Sequence, residues 1–284
     1  MWAEISGDGR LTIAQRLRYL ALNFTRNLKP GKCQAQQIRF CARRLDRTPQ
    51  TASPARALTE AFLQSYLAKM LSARKIRVLE IGCGSGSLTK LLAEFGYSGS
   101  YVGLDIADRF DRTEQPAFQR EFVLADARFF EPDAKFDLII SVSALEHIPE
   151  DVPLIRRLAE FVAPGGLQVH FVPSGWALPV YLWHGYRQYT HVSLCERFDA
   201  QRTTLFAMGG AASFLLHFLF TTLGELLLRL RLRQLLPQIY GRMLDWCLRL
   251  DRLLPVCATM FAVYQTADFI PVDASSLYMQ NGKT

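Results

Sequence analysis

The chain has 284 residues, half of them apolar and 21% charged, with a formal net charge of +7. That balance fits a globular protein on the hydrophobic side, built as one large α/β domain with additions or as two small domains. The six cysteines form no C-x-x-C pair, which argues against a zinc site and against a disulfide framework in a reducing compartment.

Charge is unevenly spread. Residues 1–77 hold fifteen Lys/Arg against four Asp/Glu, residues 78–200 ten against seventeen, and residues 201–284 eight against five. The segments therefore carry +11, −7 and +3, an acidic middle between basic flanks. A basic flank suits a nucleic-acid arm, a contact with anionic lipid, or a solvated helix face. Met1–Asp8 carries acids and no apolar core, so it does not resemble a signal peptide, and the cytoplasm is the default address.

In chain order, Leu17, Leu20, Phe24 and Leu28 recur at helical spacing with arginines between them. Lys29-Pro30-Gly31 ends that helix, and Cys33–Leu45, crowded by Arg39, Arg43 and Arg44, reads as a second one. Residues 48–54 form a loop in which Ser53 caps and Pro54 starts a third helix, reaching about Ser72. Arg77-Val78-Leu79-Glu80-Ile81-Gly82-Cys83-Gly84-Ser85-Gly86-Ser87-Leu88 then joins a short apolar strand to three alternate glycines and a helix-compatible run. Such a turn lets a ligand approach the backbone and faces it with helix N-terminal amides. The spacing is G-x-G-x-G, not the dinucleotide G-x-G-x-x-G.

Further strands follow in register. Ser100–Ile106 carries Asp105 at its end, about twenty residues past the glycines, where an acid suits two ribose hydroxyls. Phe122–Ala127 ends in Asp126, Phe136–Ile148 runs into a loop, and Val162–His170 passes a Pro-Gly-Gly turn into a fifth strand. Together these segments resemble the Rossmann-like class I methyltransferases that use S-adenosylmethionine, over roughly residues 75–175.

The resemblance implies roles residue by residue. Gly82, Cys83, Gly84 and Gly86 would run beside the methionine part and ribose of the cofactor, with Glu80 near its ammonium. Asp105 would accept from the ribose hydroxyls and Ile106 would pack on adenine. Asp126 would take the adenine amino group, with Ala127 beside it, while Ser141 and Val142 would line the cofactor. His147 stands where the transferred methyl should point and is the candidate general base, the alternative being a structural hydrogen bond in its loop. Glu146 adjoins it as a candidate substrate contact. In the aromatic segment after the fifth strand, Trp183, His184, Arg187, Tyr189 and His191 are candidate acceptor contacts, or an aromatic helix packed on the N-terminal cap.

Residues 203–224 contain no Asp, Glu, Lys or Arg. A membrane span there would separate the closing strand, Ala258–Gln265, from its partners, so a buried helix followed by an amphipathic one is expected. Arg229, Arg231 and Arg233 after it suit the cytoplasmic face of a membrane. The expected architecture is a basic helical cap (1–74), a cofactor-binding Rossmann-like α/β core (75–200), a helical insertion with the closing strand (201–272) and a frayed tail (273–284). The expected activity is methyl transfer to an oxygen or nitrogen of a small-molecule, glycan or lipid-linked acceptor. An RNA methyltransferase and a non-catalytic cofactor-binding protein are the alternatives; the Asn/Asp-Pro-Pro-Tyr/Phe run of many enzymes that methylate nucleic-acid amino groups is replaced by Ser141-Val142-Ser143-Ala144. No His/Asp/Glu cluster shows metal-ligand spacing.

Overall fold

The computed structural model describes residues 5–42 and 50–267. The expected tail and the end of the expected second helix, with Arg43 and Arg44, lie outside the described residues. The elements run α1 (Ile13–Asn27), β1 (Gln36–Phe40), α2 (Pro54–Met70), β2 (Lys75–Ile81), α3 (Leu88–Glu94), β3 (Ser98–Asp105), β4 (Phe118–Leu124) and β5 (Phe136–Val142). They continue with α4 (Asp151–Glu160), β6 (Val162–Pro173), α5 (Leu178–Tyr181), α6 (His191–Cys195), β7 (Thr203–Met208) and α7 (Ala211–His217). The chain then passes through a π-helix (Phe218–Leu227), α8 (Leu232–Leu235) and α9 (Pro237–Leu250) into β8 (Met260–Thr266).

The eight strands among the described residues form one sheet in the order β1-β7-β8-β6-β5-β2-β3-β4, parallel except for β8. The strands from β2 outward to β4 and back to β5 leave a crevice at the carboxyl ends of β2 and β5, where open α/β sheets bind ligands. One face packs on Leu58, Phe62 and Leu63 of α2, Leu92 of α3, Leu216 of α7, and Tyr240, Leu244 and Leu248 of α9. The other packs on Leu154, Ile155 and Leu158 of α4, and on Leu194 and Phe198. Helices thus cover both faces of a mostly parallel sheet, and the expected closing strand joins it, running antiparallel to β6 and β7.

Three expectations are corrected. Residues 36–40, read as helix, are edge strand β1: Ile38 and Phe40 alternate inward around Arg39. The charge-free run 203–224 opens with a strand, β7, buried on both faces between β1 and β8, and turns into α7 at Gly209, whose φ is +80°. Cys33 and Cys195 form a disulfide that ties the segment after α1 to the end of α6. No helix among the described residues is long and apolar enough to cross a membrane.

Candidate active site

The glycine turn after β2 is held from both sides. Gly82 and Cys83 donate their N–H groups to the Leu104 carbonyl at 2.8 and 2.9 Å, and Gly84 donates to Asp105 Oδ2 at 2.8 Å. Gly82, Gly84 and Gly86 all take positive φ. A side chain at Gly82 would meet Ala144 Cβ at 2.6 Å, whereas one at Gly84 would meet nothing within 4 Å, so the turn is closed underneath and open above. Asp105 is buried, its Oδ1 accepting from Ala107 N–H at 2.9 Å and lying 3.4 Å from the Arg109 guanidinium. A carboxylate with about four acceptor positions keeps capacity for hydroxyl donors. Ile106 beside it is 80% exposed, an apolar surface waiting for a flat ring. This cradle fits a nucleoside with ribose hydroxyls and an adjoining cation.

Glu80 lies buried at the end of β2 and accepts a 2.5 Å hydrogen bond from the Tyr101 hydroxyl. Burial pushes its pKa up to about 8, against the Tyr101 hydrogen bond and with the help of the Asp105 charge. An arriving ammonium would draw the carboxylate form. Asp126 caps the 127–129 turn and is gripped by Arg128, 2.7 Å away. The Arg128 hydrogen bond outweighs burial and lowers the Asp126 pKa, so the carboxylate reaches a ring amine only as a shared partner. Ala127 is buried behind it and Val142 half-buried at the end of β5.

Ser141 departs from expectation. Its side chain is fully buried and its hydroxyl donates to His170 Nδ1 at 2.8 Å, with His170 Nε2 donating to Gln168 Oε1 at 2.9 Å and Gln168 in turn bonded to Gln265. Burial lowers the His170 pKa to about 3, so this imidazole is a neutral link in a polar chain across β5, β6 and β8. The serine is occupied within the sheet.

Beyond β5 three segments converge. Tyr186 donates its N–H to the Glu146 carbonyl at 2.7 Å, and Gly185, at φ +61°, lies so close that a Cβ would meet that oxygen at 2.6 Å. Gly7 and Asp8 close the other side: Gly7 N–H donates to the Gly185 carbonyl at 2.6 Å, and Gly185 N–H donates to Asp8 Oδ1 at 3.0 Å. In the middle, His147 Nδ1 lies 2.8 Å from Asp8 Oδ2. A carboxylate only accepts, so Nδ1 carries a proton; in the neutral ring Nε2 keeps its lone pair, and it lies 4.0 Å from Glu146 Oε1. Burial alone would lower the His147 pKa, but the Asp8 hydrogen bond and the Glu146 and Asp8 charges raise it. His184 stands edge-on to His147 with ring centroids 4.5 Å apart, its Nε2 3.5 Å from Glu146 Oε1. Glu146 is wholly buried, with neither carboxylate oxygen hydrogen-bonded. Asp8, His147 and His184 bring one ligand-capable atom each to within 4.8 Å of the others, a grouping invisible in the sequence.

The other acceptor candidates scatter. Arg187 is buried, 3.3 Å from Asp151, and donates to the Ile148 and Pro149 carbonyls at 2.7 and 2.6 Å, so it braces the loop instead of facing a ligand. The Tyr189 hydroxyl also goes to Asp151, at 2.9 Å. Trp183 packs under the Arg16 guanidinium of α1. His191 lies edge-on to Phe261 and lines a cavity of about 600 Å³ with Phe24, Leu28, Trp176 and Val256. That cavity sits where β6 and β7 end and β8 begins, at the same edge of the sheet as the glycine turn.

A model of the methyltransferase domain matches residues 34–202, more than half of the chain. Trans-aconitate 2-methyltransferase of Azoarcus sp. (strain BH72) is 31% identical over 103 residues, 36% of this chain and 41% of that protein. Ubiquinone biosynthesis O-methyltransferase of Coxiella burnetii is 28% identical over 107 residues, 36% and 45%. The matched region thus spans under half the length of these curated relatives. A crystal structure of coclaurine N-methyltransferase bound to N-methylheliamine and SAH superposes over 90% of this chain and 88% of that one, at 12% identity and a TM-score of 0.46. The chain belongs to the methyltransferase-domain family, whose members use S-adenosylmethionine.

Proposed function

We propose that this enzyme methylates a hydroxyl oxygen, or an amine nitrogen, of a small acceptor with an apolar body, lipid-linked or glycan-bearing, with His147 as the proton acceptor. The observation that carries this reading is the Asp8–His147 hydrogen bond at 2.8 Å, just past β5, at the same sheet edge as the glycine turn. The bound cofactor supplies a methyl group on a positive sulfur. Asp105 and the Gly82–Gly86 turn would hold the nucleoside, and Glu80 would hold the ammonium. Residues 6–8, 144–147 and 184–186 pack together beside His147, which stays part-exposed on the side where the acceptor arrives. His147 Nε2 takes the acceptor's proton, while Asp8 keeps Nδ1 protonated and steadies the imidazolium. Much of the rate comes from holding acceptor and methyl in line. The cavity of about 600 Å³ supports an apolar acceptor body.

The arginines after the charge-free run support work at a membrane surface, although only two of the three are available: Arg229 and Arg231 are exposed, and Arg233 is held by Glu225 at 2.5 Å.

Single-turnover kinetics test the base. His147→Ala should lower turnover by a factor on the order of 10²–10⁴ and leave cofactor affinity nearly intact. A variant that keeps most of its turnover would make His147 structural and leave positioning as the whole mechanism.

A further inference from the structure

Helix α1 is inside out. Its buried residues are Tyr19 and Asn23, held by polar contacts: the Tyr19 hydroxyl donates to the His184 carbonyl at 2.6 Å and accepts from Gln188 at 3.0 Å. Its apolar stripe faces outward, with Ile13 79%, Leu17 63%, Phe24 58% and Leu28 64% exposed. An amphipathic helix on a solvated protein turns its apolar stripe to the core. Helix α9 breaks the same rule differently. Tyr240, Leu244 and Leu248 fill the core, yet Ile239, Met243, Trp246 and Leu250, spaced at i, i+4, i+7 and i+11, form a second stripe on the opposite side, with Leu253 exposed in the turn that follows. Trp246 is 66% and Leu253 77% exposed. A helix apolar on two faces expects apolar material on both. The connecting segment adds exposed Leu226, Leu227, Leu228 and Leu230.

Both stripes end at one place. Phe24 and Leu28 from α1, and Pro255 and Val256 just beyond α9, line the cavity of about 600 Å³, with Trp176 58% exposed among them. Exposed arginines accompany the stripes: Arg10 and Arg16 before and on α1, Arg229 and Arg231 on the connecting segment and Arg242 on α9, and α1 contains no acid. We propose that the outer faces of α1 and α9 are a docking surface for an anionic lipid bilayer, and that the cavity takes an amphipathic acceptor directly from it. The second clause rests on the acceptor class proposed above; the first does not. A bilayer fits this occupant's chemistry in both parts, acyl chains for the two stripes and headgroup phosphates for the arginines. A second copy of the chain fits worse, because a twofold contact would set these arginines against themselves and close the cavity mouth.

Flotation with phosphatidylglycerol vesicles tests the surface. Wild type should float, and brominated acyl chains should quench emission that is absent in Trp246→Phe. Ile239→Glu combined with Leu253→Glu, at exposed positions, should reduce flotation on the order of tenfold, since binding scales with the apolar area inserted. Calorimetry with S-adenosylmethionine on the same preparations checks that the variant is folded and reads the methyltransferase assignment separately. Wild type left at the bottom of the gradient, a variant that floats as well, or loss of a wild-type dimer in the variant without vesicle binding would each overturn the proposal.

Discussion

Glu80 is a carboxyl group kept neutral by its site, and that has a thermal consequence. Burial raises its pKa to about 8 from an ordinary 4.5. Between those values the unfolded chain has lost the proton and the folded chain keeps it, so folding stability falls as pH rises through the window. Glu80→Gln mimics the neutral form. Its melting temperature without cofactor should match wild type near pH 4.5 and exceed it above about pH 8, by a free-energy gap growing on the order of 1.4 kcal/mol per pH unit between. Parallel melting curves across that range would mean the folded group is already ionised. Asp8 acts on His147 in the opposite sense from burial, raising its basicity. Asp8→Asn should therefore lower turnover and move the acid limb of the rate profile to lower pH, because the base then loses its proton more readily. An unmoved limb would detach Asp8 from the chemistry. The positions of the glycines, Asp105 and His147 at or just past the strand ends were legible from the sequence, because a strand-turn-strand pattern sets them. Asp8 was not: it lies 139 residues from His147, and nothing local marks the pairing.

Sequence periodicity identified the elements that it could see whole. Strands β2, β3, β5, β6 and the closing β8 contain β-branched or aliphatic runs ended by glycine, acid or turn residues, whereas β4, read as Phe122–Ala127, spans Phe118–Leu124, because Gln119, Arg120 and Glu121 hide its first half. Strand β1 shows only two inward apolar positions, Ile38 and Phe40, among arginines and glutamines, too few to separate period two from a helix. Strand β7 and α7 share an uncharged composition, and only Gly209-Gly210 divides them. Composition reported burial there, and burial suits a central strand as well as a helix. Helix α9 makes a sharper test, because its two apolar faces differ only in what covers them. Leu244→Ala, on the buried side, should cost about 2–5 kcal/mol of stability. Trp246→Ala, on the exposed side, should stay within about 0.5 kcal/mol in the absence of lipid, as surface changes do. Urea melts of both variants measure this, and a large loss at Trp246 would show that its face is covered within the protein.

Over the whole molecule, the sheet order puts the glycine turn, His147 and the cavity of about 600 Å³ along one edge, and α1 is pinned there by Tyr19 and by Asn27, whose amide reaches the Gly175 carbonyl at 3.4 Å. The segment read as a basic cap thus lines part of that cavity and contributes a strand to the sheet. The charge profile, +11 and +3 around −7, was legible from composition. The direction in which the apolar stripes face was not, since a periodic stripe looks the same in sequence whether it meets a core or a bilayer. The most direct measurement of the central claim is methyl transfer from labelled S-adenosylmethionine into cell fractions, with lipid, glycan, RNA and small-molecule products separated, by wild type and by His147→Ala. Label in an organic-extractable, apolar product with wild type, nearly lost in the variant, is the result expected. Label in RNA, or in no fraction at all, would contradict the account.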